Sequence, residues 1–248
     1  MKSFKQMYHG FRRIVWGLPK NERLILNEAV NFEKEVIFIA IPKTGTTSVR
    51  RQMQQEGTPL ISNPHLSITQ VRDSIYVYLL MRSLGCNKVF PTIAVPTDRE
   101  LRDRARAVFE GFFKFAAVRN PWARAVSLYY RREGIQVRKR ISFEEFCVNH
   151  VYASDTCVHP TLHRNQIDWL CDENGNCLMD YIYKVEEFDI AMNEIFERTN
   201  GRICFKKTKA NKNPRSRSEQ YRELYTERTK KLIAKRFEKD IDYFKYTF

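Results

Sequence analysis

The chain has 248 residues, with 43 Lys and Arg against 29 Asp and Glu, a formal net charge of +14. That length suits one domain with a full hydrophobic core, and the cationic excess suits a polyanionic partner: nucleic acid, a membrane surface, an acidic glycan or a multiply charged nucleotide. Nucleic-acid binding finds no support in zinc-finger spacing, an RNP motif or a basic heptad array, and no apolar run has the length of a bilayer span or the pattern of a signal peptide.

Residues 1–34 read as an N-terminal helical arm ahead of an α/β core over 36–248. Phe4, Met7, Tyr8, Phe11, Ile14, Val15 and Leu18 recur at helical spacing among Lys and Arg. This favours a helix packed on the domain. A membrane-surface helix is the sharper alternative, weakened by Gly10, Gly17 and Pro19.

The core opens with "VIFIAIPKTGTTSVR", residues 36–50. Val36 to Ile41 is short, β-branched and wholly apolar, the pattern of a strand buried on both faces of a parallel sheet. From Thr47 the residues suit a helix, with Gly57 as its stop. The first N–H groups of such a helix have no partners within it, and its dipole is positive there. Lys43 adds a full charge, Gly45 freedom for the backbone to wrap an anion, and Thr44, Thr46, Thr47 and Ser48 add hydroxyls. This is a phosphate cradle; an ordinary strand-to-helix turn with a threonine cap is the plain alternative. In the nucleotide-hydrolase loop, lysine directly follows the second glycine. Here Lys43 precedes Gly45, and no Gly-Lys-Ser/Thr occurs in the chain.

Ile68 to Leu84 is apolar enough for a buried helix. Thr97 with Glu100, and Ser142 with Glu145, each match a capping box, which predicts helices starting near 98 and 143. Between them lies "FKFAAVRNPWARAVSLYYRR". Phe113 to Val118 is a second buried strand and Arg119 ends it. Asn120 is a good N-cap, Pro121 sits at the first helical position, and Ser127 lies within the helix.

In "CDENGNC" the Asn174-Gly175 pair is a strong turn signal, and Cys171 and Cys177 could close a hairpin disulfide. A reducing compartment favours free thiols instead, and without a second close cysteine pair a metal site is not indicated. Asp180 to Val185 reads as a third strand running into a helix. "FKKTKANKNPRSRSEQY" is a basic loop, and a last helix or helix pair runs from about Glu219 to Lys239. Alternating strands and helices imply a three-layer, P-loop-like α/β domain whose central parallel sheet is flanked by helices.

"PKTGTTS" resembles the 5′-phosphosulfate loop of sulfotransferases that use 3′-phosphoadenosine 5′-phosphosulfate (PAPS), and "RNPWARAVSLYYR" resembles their 3′-phosphate motif. These forms, with the ending "FEKDIDYFKYTF", are most similar to the carbohydrate, Golgi-type group (family 2). The resemblance implies transfer of a sulfuryl group to a hydroxyl of a carbohydrate or glycolipid acceptor, releasing 3′,5′-ADP without a metal. Lys43 then serves the leaving 5′-phosphate, which Thr44, Gly45, Thr46, Thr47 and Ser48 also hold, while Arg119 and Ser127 take the 3′-phosphate. Carbohydrate sulfotransferases place a base after the phosphate loop and its helix, which assigns that role to His65 in "NPHLSI"; a loop histidine hydrogen-bonded to the backbone is the plain alternative. His9 and His150 read as structural or surface residues, and His159 and His163 form the reserve. "HPTLHRNQIDWL" resembles acceptor- or nucleotide-facing loops of the family, with His163, Arg164, Gln166 and Trp169 able to contact a sugar; a buried Trp169 is an equally ordinary reading. Asn211 and Lys212 resemble a family tail motif at the nucleotide. The Golgi enzymes are membrane-anchored and no span is evident here, so a cytoplasmic, bacterial enzyme is expected. The alternatives are a P-loop-type kinase, disfavoured by the missing Gly-Lys-Ser/Thr, and an inactive basic binding protein.

Overall fold

The computed structural model describes residues 23–53, 55–86, 96–130, 140–150, 164–205 and 221–248. Two short strands come first, β1 (Leu24–Ile25) and β2 (Val30–Asn31), then β3 (Val36–Ile39). β4 (Thr58–Pro59) pairs in parallel with β1 as a small separate sheet. With β5 (Phe113–Val118) and β6 (Tyr181–Lys184), the central sheet runs β2-β3-β5-β6. Of its three pairings, β3 with β5 and β5 with β6 are parallel, and only that of the edge strand β2 with β3 is antiparallel.

The helices are α1 (Thr46–Met53), α2 (Ile68–Cys86), α3 (Asp98–Gly111), α4 (Pro121–Tyr129), α5 (Phe188–Arg198), α6 (Glu227–Arg236) and α7 (Glu238–Phe244). They cover both faces of the sheet, which is why β3 is wholly apolar and β5 is broken only by Lys114 near its start. Ile37, Ile39, Ala116 and Val118 pack to one side, with Ile68, Val71 and Ile75 of α2 and Val126 of α4. Val36, Phe38, Phe115 and Ala117 alternate to the other, with Val49 and Met53 of α1 and Ala191, Met192 and Ile195 of α5. The expected α/β layering with helices on both faces is present; the antiparallel edge departs from an all-parallel sheet.

Local signals set most boundaries. The Thr97–Glu100 and Ser142–Glu145 capping boxes both form, though the second helix keeps α geometry only over Phe143–Glu145 before a π-helical turn, Phe146–His150. Asn120 caps α4 through Trp122 N and Ala123 N, with Pro121 in its first turn. The C-terminal helical region is a pair, as allowed, but starts later: a 3₁₀ turn at Arg222–Leu224, then α6, which Thr226 and Thr229 cap reciprocally, then α7.

Two expectations need correction. Residues 24–34 do not belong to a helical arm: Leu26, Ala29 and Val30 are buried in the cores, and β1 and β2 pair into sheets. The arm's proposed helix, before residue 23, lies outside the described residues. Gly57 does not cap α1, which ends at Met53. It lets β4 approach β1: a Cβ at Gly57 would stand 2.1 Å from the carbonyl oxygen of Arg23. The Asn174-Gly175 turn forms, with Gly175 at φ +84°. Cys171 and Cys177 face each other across it as free thiols. Among the described residues no helix is long and apolar enough to cross a membrane.

Candidate active site

β3 and β5 are neighbouring parallel strands, with Ile39 beside Ala116, so the loops leaving their C-terminal ends lie side by side. In open α/β sheets this is where ligands bind. The first loop carries Lys43, the second Arg119.

The Lys43 loop is tightly wound. Lys43 has φ +71° and Gly45 φ +75°, a left-handed conformation that costs a non-glycine residue roughly 1–2 kcal/mol. Such strain gathers at ligand clamps and active sites. A Cβ at Gly45 would meet Val185 Cγ2 at 3.0 Å, so the end of β6 closes against the loop and only glycine fits. The Thr44 hydroxyl is buried and donates to the Ile41 carbonyl at 3.0 Å. What Thr44 offers an anion is therefore its main chain rather than its hydroxyl. Thr46 is buried where α1 begins, Gly45 is exposed, and Thr47 and Ser48 are half-buried. The first turn of α1 has no acidic residue, so nothing there offsets the positive end of its dipole.

Arg119 joins the second loop to the first. Its Nη1 donates to the Lys43 carbonyl at 3.4 Å. Gln166 holds its main chain from both sides: Arg119 N donates to Gln166 Oε1, and Gln166 Nε2 donates to Arg119 O, each at 2.8 Å. Burial pushes the guanidinium below its ordinary pKa, and the Glu186 carboxylate acts the other way. Glu186 Oε1 accepts from Asn120 N at 2.9 Å and Glu186 Oε2 from the Tyr246 hydroxyl at 3.4 Å. Ser127 lies half-buried in α4, seven residues past the cap, on the same side as Asn120 and about 10 Å along the axis.

His65 sits in the segment between α1 and α2, half-buried, with its Nδ1 2.5 Å from the carbonyl of Ala40. A carbonyl can only accept, so in the neutral ring Nδ1 carries the proton and Nε2 the lone pair. The contact ties the imidazole to the residue three positions before Lys43.

The implied acceptor contacts fare differently. Gln166 and Trp169 are fully buried, the first clamping Arg119 and the second in the core, so neither presents a face to an acceptor. Arg164 is exposed, lies over the Trp169 ring at 5.5 Å, and donates to the Asp168 carbonyl. With Asp168, Lys239 and Tyr243 it lines a cavity of about 900 Å³ that includes no residue of the Lys43 loop. His163, Asn211 and Lys212 lie outside the described residues.

Sequence reasoning missed Gln166 as a clamp, Glu186 as a brace, Arg124 and Asp240 in the interior, and Lys184, whose ammonium lies 4.9 Å from the Tyr246 ring at the end of β6. The contacts that give Gln166, Glu186 and Asp240 their roles span 47 to 74 residues. Only Arg124 had a local signal, a cation on an otherwise apolar helix.

Lys43, His65 and Arg119 thus meet at one end of the sheet: two cations, a strained loop at a helix start and an imidazole. Chemically, such a set offers positive charge to an anion and a ring nitrogen to a proton. Among the described residues no three metal-ligating side chains come together. Sequence comparison matches residues 29–247 to the Sulfotransferase family. No curated protein and no solved structure matches the chain.

Proposed function

The chain belongs to the sulfotransferase family, and on that footing we propose that it moves a sulfuryl group from PAPS to a hydroxyl of a carbohydrate-type acceptor. The observation that carries this reading is the contact of Arg119 with the Lys43 carbonyl. It brings the two motifs that resemble a 5′-phosphosulfate loop and a 3′-phosphate site into one place.

The donor supplies an activated sulfuryl group on its 5′-phosphate. The loop from Lys43 to Ser48 holds that phosphate with its main chain and the positive end of α1, while Arg119 and Ser127 take the 3′-phosphate. As the acceptor oxygen attacks sulfur in line, an S–O bond forms and the bond from sulfur to the phosphate oxygen breaks. The hydroxyl proton passes to His65 Nε2. Lys43 stabilises the charge that develops on the released phosphate oxygen, a fixed cation aimed at late charge, and 3′,5′-ADP leaves. Asn211 and Lys212, in the basic stretch, belong to the same nucleotide site on this reading; Arg164 and His163 border the acceptor. A cytoplasmic location belongs to the same reading, and in that compartment Cys171 and Cys177 stay free thiols.

The 3′-phosphate tests the proposal, because a kinase has no use for one. A charge-assisted hydrogen bond is worth about 1.5–3 kcal/mol, and about 1.4 kcal/mol is one decade. Calorimetry is therefore expected to give 3′,5′-ADP at least about tenfold tighter binding than 5′-AMP. Arg119→Ala removes most of that preference and spares 5′-AMP. Equal binding of the two nucleotides by the unaltered protein would overturn the PAPS assignment.

A further inference from the structure

Arg124 lies inside the molecule, 1% exposed. Its Nε donates to the Pro42 carbonyl and its Nη1 to the Arg164 carbonyl, each at 3.2 Å. The guanidinium lies 5.6 Å from the Phe237 ring, and Nη2 has no hydrogen-bond partner among the described residues. Burial pushes its pKa down to about 10, against the pull of Asp240. Removing a charge from water is costly, and apolar side chains of similar volume commonly fill such a place with no loss of stability. Stability alone is a poor account of this arginine.

Its contacts suggest another. Pro42 directly precedes Lys43, so Nε holds the phosphate loop at its base. Arg164 stands two residues before Gln166, the residue that grips Arg119 through both main-chain atoms. Gln166 Nε2 also donates to Asp240 Oδ2 at 3.2 Å, and Ile167 N to Asp240 Oδ1 at 3.0 Å. Arg124 and Asp240 therefore hold one segment, residues 164–167, at separate points. Through that segment the Lys43 loop, which Arg124 grips at Pro42, is tied to Arg119, which Gln166 grips, and to α7.

We propose that Arg124 is a positioning residue that sets the spacing between the Lys43 loop and Arg119, so that the protein reads the two phosphates of its donor nucleotide as a pair. This rests on the PAPS reading. Arginine suits the task because its planar fork offers donors in fixed directions to two carbonyls from separate segments; lysine is a point charge on a flexible stem. Spacing matters because misplacement by about 1 Å can cost 10²-fold in rate. Arg124 touches no reacting atom and acts through Pro42 and Arg164.

The test separates positioning from mere packing. Binding of 3′,5′-ADP and 5′-AMP is measured by calorimetry for the unaltered protein, Arg124→Lys and Asp240→Asn, with melting temperature recorded alongside. Arg124→Lys keeps the charge and loses the fork. It is expected to retain 5′-AMP affinity within about threefold while the 3′,5′-ADP preference falls by roughly one decade. Asp240→Asn keeps the size of the side chain, so it serves if Arg124→Lys does not fold, and is expected to erode the same preference by a smaller factor. A folded Arg124→Lys that melts lower but keeps the full preference overturns the proposal, as does an equal loss for both nucleotides. Should Arg124→Lys not fold, an unchanged preference in Asp240→Asn overturns it. If the unaltered protein shows no 3′-phosphate preference, the PAPS reading fails first and this inference with it. A preference present in the unaltered protein and intact in the folded variants sinks this inference alone.

Discussion

The two ends of the central sheet bury cations in opposite ways. At the start of β5, Lys114 Nζ donates to the carbonyls of Phe112, Phe109 and Glu110 at 2.8, 3.2 and 3.4 Å, and stands 3.1 Å from Asp180. Asp180 also accepts from Lys114 N at 2.7 Å. Three ammonium protons thus meet at least three acceptors. At the other end, Arg124 keeps one nitrogen without a partner among the described residues, Lys43 holds a left-handed backbone, and burial lowers the pKa of both Arg119 and Arg124. A buried cation whose hydrogen bonds are complete serves the fold. Left-handed backbone also occurs at Glu35, beside the start of β5, so what sets the far end apart is that its strained residue and its incompletely paired arginine are themselves cations.

The sharpest way to break this contrast is to remove the cation of the strained end. Lys43→Ala is expected to lower turnover by about 10³–10⁵, the worth of a cation supplied to a transferring phosphoryl group, while the melting temperature barely moves. The substitution leaves the left-handed backbone and its carbonyl contact with Arg119 in place and removes the charge. A variant that keeps most of its turnover would remove Lys43 from the leaving-group role.

His65 comes next. His65→Ala is expected to lower turnover by about 10²–10⁴, the usual contribution of a general base, with 3′,5′-ADP affinity nearly unchanged. The Nδ1 contact with Ala40 gives a finer test: His65→Gln can donate from its amide to the same carbonyl but has no basic nitrogen. Recovery of turnover in His65→Gln would show that the ring only supports the loop.

How much of this could be read from the chain depends on how far each interaction reaches. The strand at 113–118, its Asn120 cap and both capping boxes were legible because their hydrogen bonds span two or three residues. The loop around Lys43 was legible because a strand, a lysine, a glycine and a helix start follow one another within ten residues. Gln166 was not: the same side chain reads as a surface sugar contact in "HPTLHRNQIDWL", and only the fold brings it back onto Arg119, 47 residues away. Residues 24–34 misled for a related reason. Their pairing partners lie in β3 and β4, and nothing within the segment announces a strand of two residues.

The smallest effect is expected at the satisfied end, and it is there that the contrast is most exposed to disproof. Lys114→Met keeps the aliphatic stem against Phe109 and removes the ammonium that Phe112, Phe109 and Glu110 share. Their carbonyls then lose a donor in a place where water has little access, since Lys114 is 7% exposed. Leaving buried polar groups unsatisfied costs about 1–3 kcal/mol, which is several degrees of melting temperature at roughly 2–4 °C per kcal/mol for a chain of this size. Asp180, which is well exposed and still accepts from Lys114 N, limits the loss toward the lower figure. Turnover and the preference for 3′,5′-ADP are expected to stay unchanged at temperatures where the variant is folded, because the altered contacts lie at the opposite end of β5 from Arg119. A loss of turnover in Lys114→Met without a loss of stability would mean that the two ends of the sheet do not divide fold from function.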